Sequence, residues 1–117
     1  ILAAIHDSGS LAMADCADAS DGRRASELGF DVLGSTLSGY VGGEVPDAPD
    51  LDLVGQLAQL GRFVVAEGRY RTAEQAASAL RAGADAVVAG SAITRPEHVT
   101  DWFVRAMSSA VPTAGST

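Results

Sequence analysis

At 117 residues, the chain is long enough for one packed domain but short for a complete (β/α)8 barrel, which takes roughly 250 residues. It is 47% hydrophobic and 20% charged, with a net charge of −7, a balance that argues weakly against a nucleic-acid partner, whose phosphate backbone needs a basic face. The single cysteine, Cys16, rules out a disulfide within the chain and makes the cytoplasm the simplest compartment, and no apolar run approaches the roughly 18 residues of a membrane-spanning helix.

The first residues, Ile1-Leu2-Ala3-Ala4-Ile5, lack an initiator Met, a basic flank and a cleavage site, so they do not read as a signal peptide. Residues 1–10 read as the end of a preceding helix, and the chain is expected to be a fragment. Leu11-Ala12-Met13-Ala14-Asp15 is a short apolar run that predicts a strand buried on both faces. Asp18 to Leu28 predicts a helix stopped by Gly29. Asp31-Val32-Leu33-Gly34 is the next strand, followed by a Gly/Pro-rich stretch from Ser38 to Pro49, long for a strand-to-helix connection and thus a candidate binding loop.

A second helix is predicted from Asp50, its N-cap, to Leu60, with Leu53, Leu57 and Leu60 on its apolar face. Arg62-Phe63-Val64-Val65-Ala66 is the third strand. Thr72-Ala73-Glu74-Gln75 fits a capping box opening a helix that runs to Arg81. Ala86-Val87-Val88-Ala89-Gly90 is the fourth strand, and a last helix runs from about Pro96 to Met107. Residues 108–117 read as a flexible polar tail.

Strands of four to six residues thus alternate with helices of about ten. That is an α/β chain with parallel strands and helices packed outside them. Residues 11–107 make four βα units: half of a (β/α)8 TIM barrel, or a small open doubly wound domain.

In either architecture, reactive groups gather just past the C-terminal ends of the strands. Those positions hold Asp15, Ser35-Thr36, Glu67-Gly68-Arg69 and Gly90-Ser91. Glu67 follows Val64-Val65-Ala66 directly and sits where a carboxylate serves in proton transfer or grips a sugar hydroxyl; paired with Arg69, it would be structural instead. Gly90-Ser91-Ala92-Ile93-Thr94-Arg95-Pro96 looks like a phosphate cradle. Gly90 admits the anion, Ser91 adds a hydroxyl and Arg95 supplies charge; the plainer alternative is a strand-to-helix turn with Arg95 solvated. Asp15 either positions a substrate hydroxyl or caps the next helix. Ser35 to Tyr40 either lines a polar pocket or forms a turn. Cys16 lacks a nearby His and reads as a small packed residue. No acidic cluster has metal-ligand spacing.

Four of these segments together resemble the N-acetylmannosamine-6-phosphate 2-epimerases. They are Leu11-Ala12-Met13-Ala14-Asp15, Gly34-Ser35-Thr36-Leu37-Ser38-Gly39-Tyr40, Val65-Ala66-Glu67-Gly68-Arg69 and Val87 to Pro96. The likeness runs from about Leu11 to Met107. It implies the C-terminal half of a TIM barrel, strands five to eight. It implies interconversion of N-acetylmannosamine 6-phosphate and N-acetylglucosamine 6-phosphate by removing and returning a proton at C2, in sialic-acid and amino-sugar catabolism, with no metal or organic cofactor. Glu67 would be one catalytic group, and the other would be a lysine from the first half of the barrel. This chain has no lysine, for its eight basic residues are all arginines. Asp15, Ser38, Tyr40 and Arg69 are the expected substrate contacts, and Gly68, Gly90, Ser91 and Arg95 the expected phosphate site. The expected partner is a phosphorylated amino sugar, with neither nucleic acid nor membrane, and the full-length protein is expected to be a homo-oligomer. Two other readings stand beside this one: another phosphate-binding TIM-barrel enzyme, and a non-catalytic half-barrel.

Overall fold

A computed structural model describes residues 1–112. The elements are α1 (Leu2–Asp7), β1 (Met13–Asp15), α2 (Ala19–Leu28), β2 (Val32–Gly34), α3 (Leu51–Ala58), β3 (Phe63–Glu67), α4 (Ala73–Arg81), β4 (Ala86–Val88), α5 (Ser91–Thr94) and α6 (Pro96–Ala110). The four strands form one parallel sheet in the order β1-β2-β3-β4. Neighbouring strands that are consecutive in sequence, each joined by a helix, give the unreversed strand order of a barrel wall. A doubly wound sheet reverses direction at a switch point.

The helix starts follow from local chemistry. Asp18 caps α2 by accepting from the Asp21 N–H at 2.9 Å, and Asp50 caps α3 through the Leu53 N–H at 2.9 Å. Thr72 and Gln75 form the reciprocal capping box of α4, with both bonds at 3.2 Å. Asp18, not Asp15, therefore closes the start of α2, which removes the capping role for Asp15. The strand starts repeat one device. Asp31 clasps Ala12, donating its N–H to the Ala12 carbonyl and accepting the Ala12 N–H on its carboxylate at 2.8 Å. Asp85 clasps Val64 in the same way, again at 2.8 Å. Each clasp sets the register of a strand against its predecessor.

Helices α2, α3 and α4 cover one face of the sheet. On it, Leu33, Val64 and Ala66 pack with Leu53, Val54 and Leu57 of α3, with Ala25 of α2 and with Ala79 of α4. Gly22 lets α2 lie close against α3, since a Cβ there would stand 2.3 Å from Leu57 Cδ2. The opposite face carries Met13, Asp15, Phe63, Glu67 and Val88, and Met13, Phe63 and Val88 are 43%, 49% and 42% exposed. The expectation that β1 is buried on both faces does not hold among the described residues, because side chains alternate along a strand and helices pack on one side only.

Two further differences concern the C-terminal region. The segment after β4 contains a separate turn of helix, α5, before α6 begins. And α6 continues to Ala110, so residues 108–110, assigned to the tail from sequence, are helical. The helix ends at Val111, which is extended, as the residue before a proline prefers. Residues 113–117 lie outside the described part. Among the described residues no helix is long and apolar enough to cross a membrane.

Candidate active site

Glu67 ends β3 on the uncovered face of the sheet, half-buried. Two residues just past the end of β2 hold it. Ser35, itself buried, donates its hydroxyl to the Glu67 carbonyl at 2.9 Å and accepts the Glu67 N–H at 3.0 Å. Thr36 donates its hydroxyl to Glu67 Oε2 at 3.2 Å. The backbone is thus fixed by one side chain and the carboxylate is oriented by the next. Gly34 makes room for this. A Cβ at that position would stand 3.3 Å from Thr36 Oγ1, 3.4 Å from Asp15 Oδ1 and 2.4 Å from Met13 Cε. Asp15 therefore lies on the same face, two strands from Glu67, with the Thr36 hydroxyl between them.

Beyond Glu67 the chain reverses through two residues with positive φ, Gly68 (114°) and Arg69 (63°). For arginine this left-handed conformation costs energy and needs support. Arg69 obtains it from three contacts: Nε donates to the Ala48 carbonyl at 2.7 Å, Nη1 donates to the Ser38 carbonyl at 2.6 Å, and the guanidinium lies 5.4 Å from the Tyr40 ring centroid. Gly39 admits the guanidinium, since a Cβ there would be 2.9 Å from Arg69 Nη1. The long β2–α3 loop is thereby tied at both ends to the residue two after Glu67.

An open cleft lies beside Glu67, lined by Tyr40, Gly68 to Arg71, Gly90 to Ala92 and Trp102, among others. Cβ atoms built on Gly68 or Gly90 would meet nothing within 4 Å, so both glycines leave their backbones open. Gly90 caps α5, and the first N–H groups of a helix have no partner within it. Of the residues singled out from sequence, the cleft brings together Glu67, Gly68, Arg69, Tyr40, Gly90 and Ser91. Asp15, Ser38 and Arg95 are not among its lining. Ser38 is buried and gives its hydroxyl to Asp50 Oδ2 at 2.5 Å, bracing the cap of α3. Arg95 pairs instead with Glu97 at the start of α6, holding that carboxyl below its ordinary range.

Arg71 and Trp102 also line the cleft and were not singled out from sequence. Their guanidinium and indole stack with 4.7 Å from Cζ to the ring centroid. Nothing in the spacing of two residues 31 positions apart signals that contact.

Cys16 is fully buried, and burial, together with the nearby carboxylates of Asp21 and Asp15, raises its thiol to about 11. It is a neutral packed group at neutral pH, not a nucleophile. Among the described residues no group of three or more His, Cys, Asp or Glu side chains is placed to hold a metal ion.

Comparison with known proteins bears on this arrangement. Residues 1–109 match the NanE family model, described as "Putative N-acetylmannosamine-6-phosphate epimerase". A Haemophilus influenzae protein named "Putative N-acetylmannosamine-6-phosphate 2-epimerase" is 53% identical over 106 residues, covering 91% of this chain and 46% of the relative. The "Bifunctional enzyme NanE/NanK" of Brucella melitensis is 55% identical over 103 residues, covering 87% of this chain and 20% of the relative. Among solved structures, the N-acetylmannosamine-6-phosphate 2-epimerase from Clostridium perfringens superposes with a TM-score of 0.85 at 39% identity, over 90% of this chain and 47% of that one. The chain spans about half the length, or less, of the relatives it matches.

Proposed function

The chain belongs to the N-acetylmannosamine-6-phosphate epimerase family, and from that premise we propose that it supplies the glutamate half of a 2-epimerase site. The reaction is interconversion of N-acetylmannosamine 6-phosphate and N-acetylglucosamine 6-phosphate. Glu67 exchanges a proton at C2 of the ring-opened sugar, where the neighbouring carbonyl acidifies the C–H. The second acid/base, a lysine in the family resemblance, is absent from this lysine-free chain and comes from strands that complete the barrel. In that barrel β1 to β4 are strands five to eight.

The observation that carries this reading is the setting of Glu67. Its carboxylate is aimed by Thr36, and its backbone is locked by Ser35. It opens on the same cleft as Gly68, Gly90 and Ser91. Those three would hold the phosphate through backbone N–H groups and a hydroxyl, fixing C2 beside the carboxylate. Tyr40 lines the sugar side of the cleft, and Arg69 holds the loop that carries it. Asp15 would reach the sugar from the sheet face. Ser38 braces that loop, and Arg95 joins the phosphate site only by leaving Glu97. The enzyme acts in the cytoplasm, as a homo-oligomer, in amino-sugar catabolism.

The test is a chimera in which this chain replaces the matching half of the Haemophilus influenzae relative. A coupled epimerase assay is expected to show turnover by the chimera and none by the 117-residue chain alone. A folded chimera without turnover, or an active isolated chain, would overturn the assignment.

A further inference from the structure

We infer that Arg71, stacked on Trp102, is the cleft's cation for a phosphate group and so sets its preference for phosphorylated over neutral sugars. This rests on the phosphate-sugar reading of the cleft and adds to it a residue that the motif does not include.

Two arginines line the cleft, and their positions differ. Arg69 spends its Nε and Nη1 on the carbonyls of Ala48 and Ser38. Arg71 makes no side-chain hydrogen bond among the described residues. Its nearest carboxylate is Asp47, at 3.9 Å and with a fully exposed side chain, a water-screened contact that a bound anion readily replaces. The Arg71 Cζ lies over the Trp102 ring, 4.7 Å from its centroid. Its side-chain N–H groups, which make no hydrogen bond among the described residues, remain for an oxyanion, which the planar fork fits in bidentate fashion. The stack also restrains a long side chain, so less freedom is lost when an anion binds. Around it stand Gly68, Gly90 and Ser91 of the same cleft, while Arg95 is held by Glu97.

The backbone keeps Arg71 in place. Its N–H donates to Gln75 Oε1 at 2.8 Å, alongside the capping box of α4. The residue is anchored on one side by a helix start and on the other by the indole from α6.

Trp102 is the chain's one tryptophan, so its fluorescence reports directly on this contact. The experiment titrates the 117-residue chain with inorganic phosphate, and with sodium chloride at matched ionic strength. A saturable fluorescence change with phosphate and none with chloride is expected. Arg71→Gln should weaken the phosphate response on the order of tenfold or more, Arg71→Lys less so. Arg81→Gln, far from the cleft, should leave it unchanged. Circular dichroism of each variant confirms that the fold is kept. An absent response in the parent chain, or an equal response in folded Arg71→Gln, would overturn the inference. The chimera assay separates it from the reaction: turnover with KM untouched by Arg71→Gln sinks this site and leaves the epimerase reading. Arg71-dependent phosphate binding without turnover does the reverse.

Discussion

Ser35 and Glu67, 32 residues apart in sequence, hold each other by two hydrogen bonds: the serine hydroxyl donates to the Glu67 carbonyl at 2.9 Å and accepts the Glu67 N–H at 3.0 Å. Thr36 then reaches the carboxylate itself. Adjacent residues of one turn thus have separable duties, and two substitutions distinguish them. Ser35→Ala leaves backbone groups unpartnered in a buried place and is expected to cost about 1–3 kcal/mol of stability in urea unfolding. Thr36→Val is expected to change stability by less than about 1 kcal/mol yet lower kcat on the order of tenfold, because the carboxylate loses its orienting donor. Equal effects of the two on both quantities would contradict this division.

Arg69 fastens the loop between β2 and α3 through the carbonyls of Ser38 and Ala48. Replacing it with Met removes both bonds and keeps much of the side-chain bulk. Cleavage after Glu44, an exposed position in that loop, by a glutamate-specific protease should then accelerate on the order of tenfold. An unchanged cleavage rate would show that the loop is held by other contacts.

Gly22 sits in α2, where alanine would ordinarily gain about 1 kcal/mol of helix propensity. Here the added methyl would meet Leu57 Cδ2 at 2.3 Å and Leu60 Cδ1 at 3.3 Å. Leu57 is fully buried and has little room to turn away. Overpacking of this kind costs about 1–3 kcal/mol, so Gly22→Ala should lower the melting temperature. A rise would mean that α2 and α3 separate freely.

Asp31 accepts the Ala12 N–H and pairs with His6, both at 2.8 Å, and these contacts hold its carboxyl below the ordinary carboxylate range. A depressed carboxylate stabilises the fold above its unfolded value, about pH 4, and that contribution is lost as pH falls through the folded value. The parent chain should therefore lose more stability than Asp31→Asn between about pH 5 and 2. Parallel curves over that range would remove Asp31 from the acid response.

Much of this was legible in the sequence because it is local. Asp50 and the Thr72–Gln75 box sit within four residues of the groups they cap. The strand-to-helix alternation marked every β-strand, and the polar strand ends pointed to Glu67. What was hidden depends on contacts across the chain or on choices among partners. Arg95 has a glutamate two residues away, so its charge is engaged outside the cleft. Ser38 turns to Asp50 because a hydroxyl buried beside a helix cap finds a carboxylate there. Arg71 meets Trp102 only once α4 and α6 are both in place. The single turn α5 was hidden for a different reason: four residues are too few to show a helical period.

The central claim is that Glu67 moves a proton at C2. It is tested most directly in the chimera, by following in D2O by NMR the exchange that accompanies inversion, the appearance of C2-deuterated N-acetylglucosamine 6-phosphate from N-acetylmannosamine 6-phosphate and the reverse. Glu67→Gln is expected to slow this exchange with inversion in both directions by about 100-fold or more while phosphorylated sugar still binds. Exchange at near-parental rate in the folded variant would contradict the account.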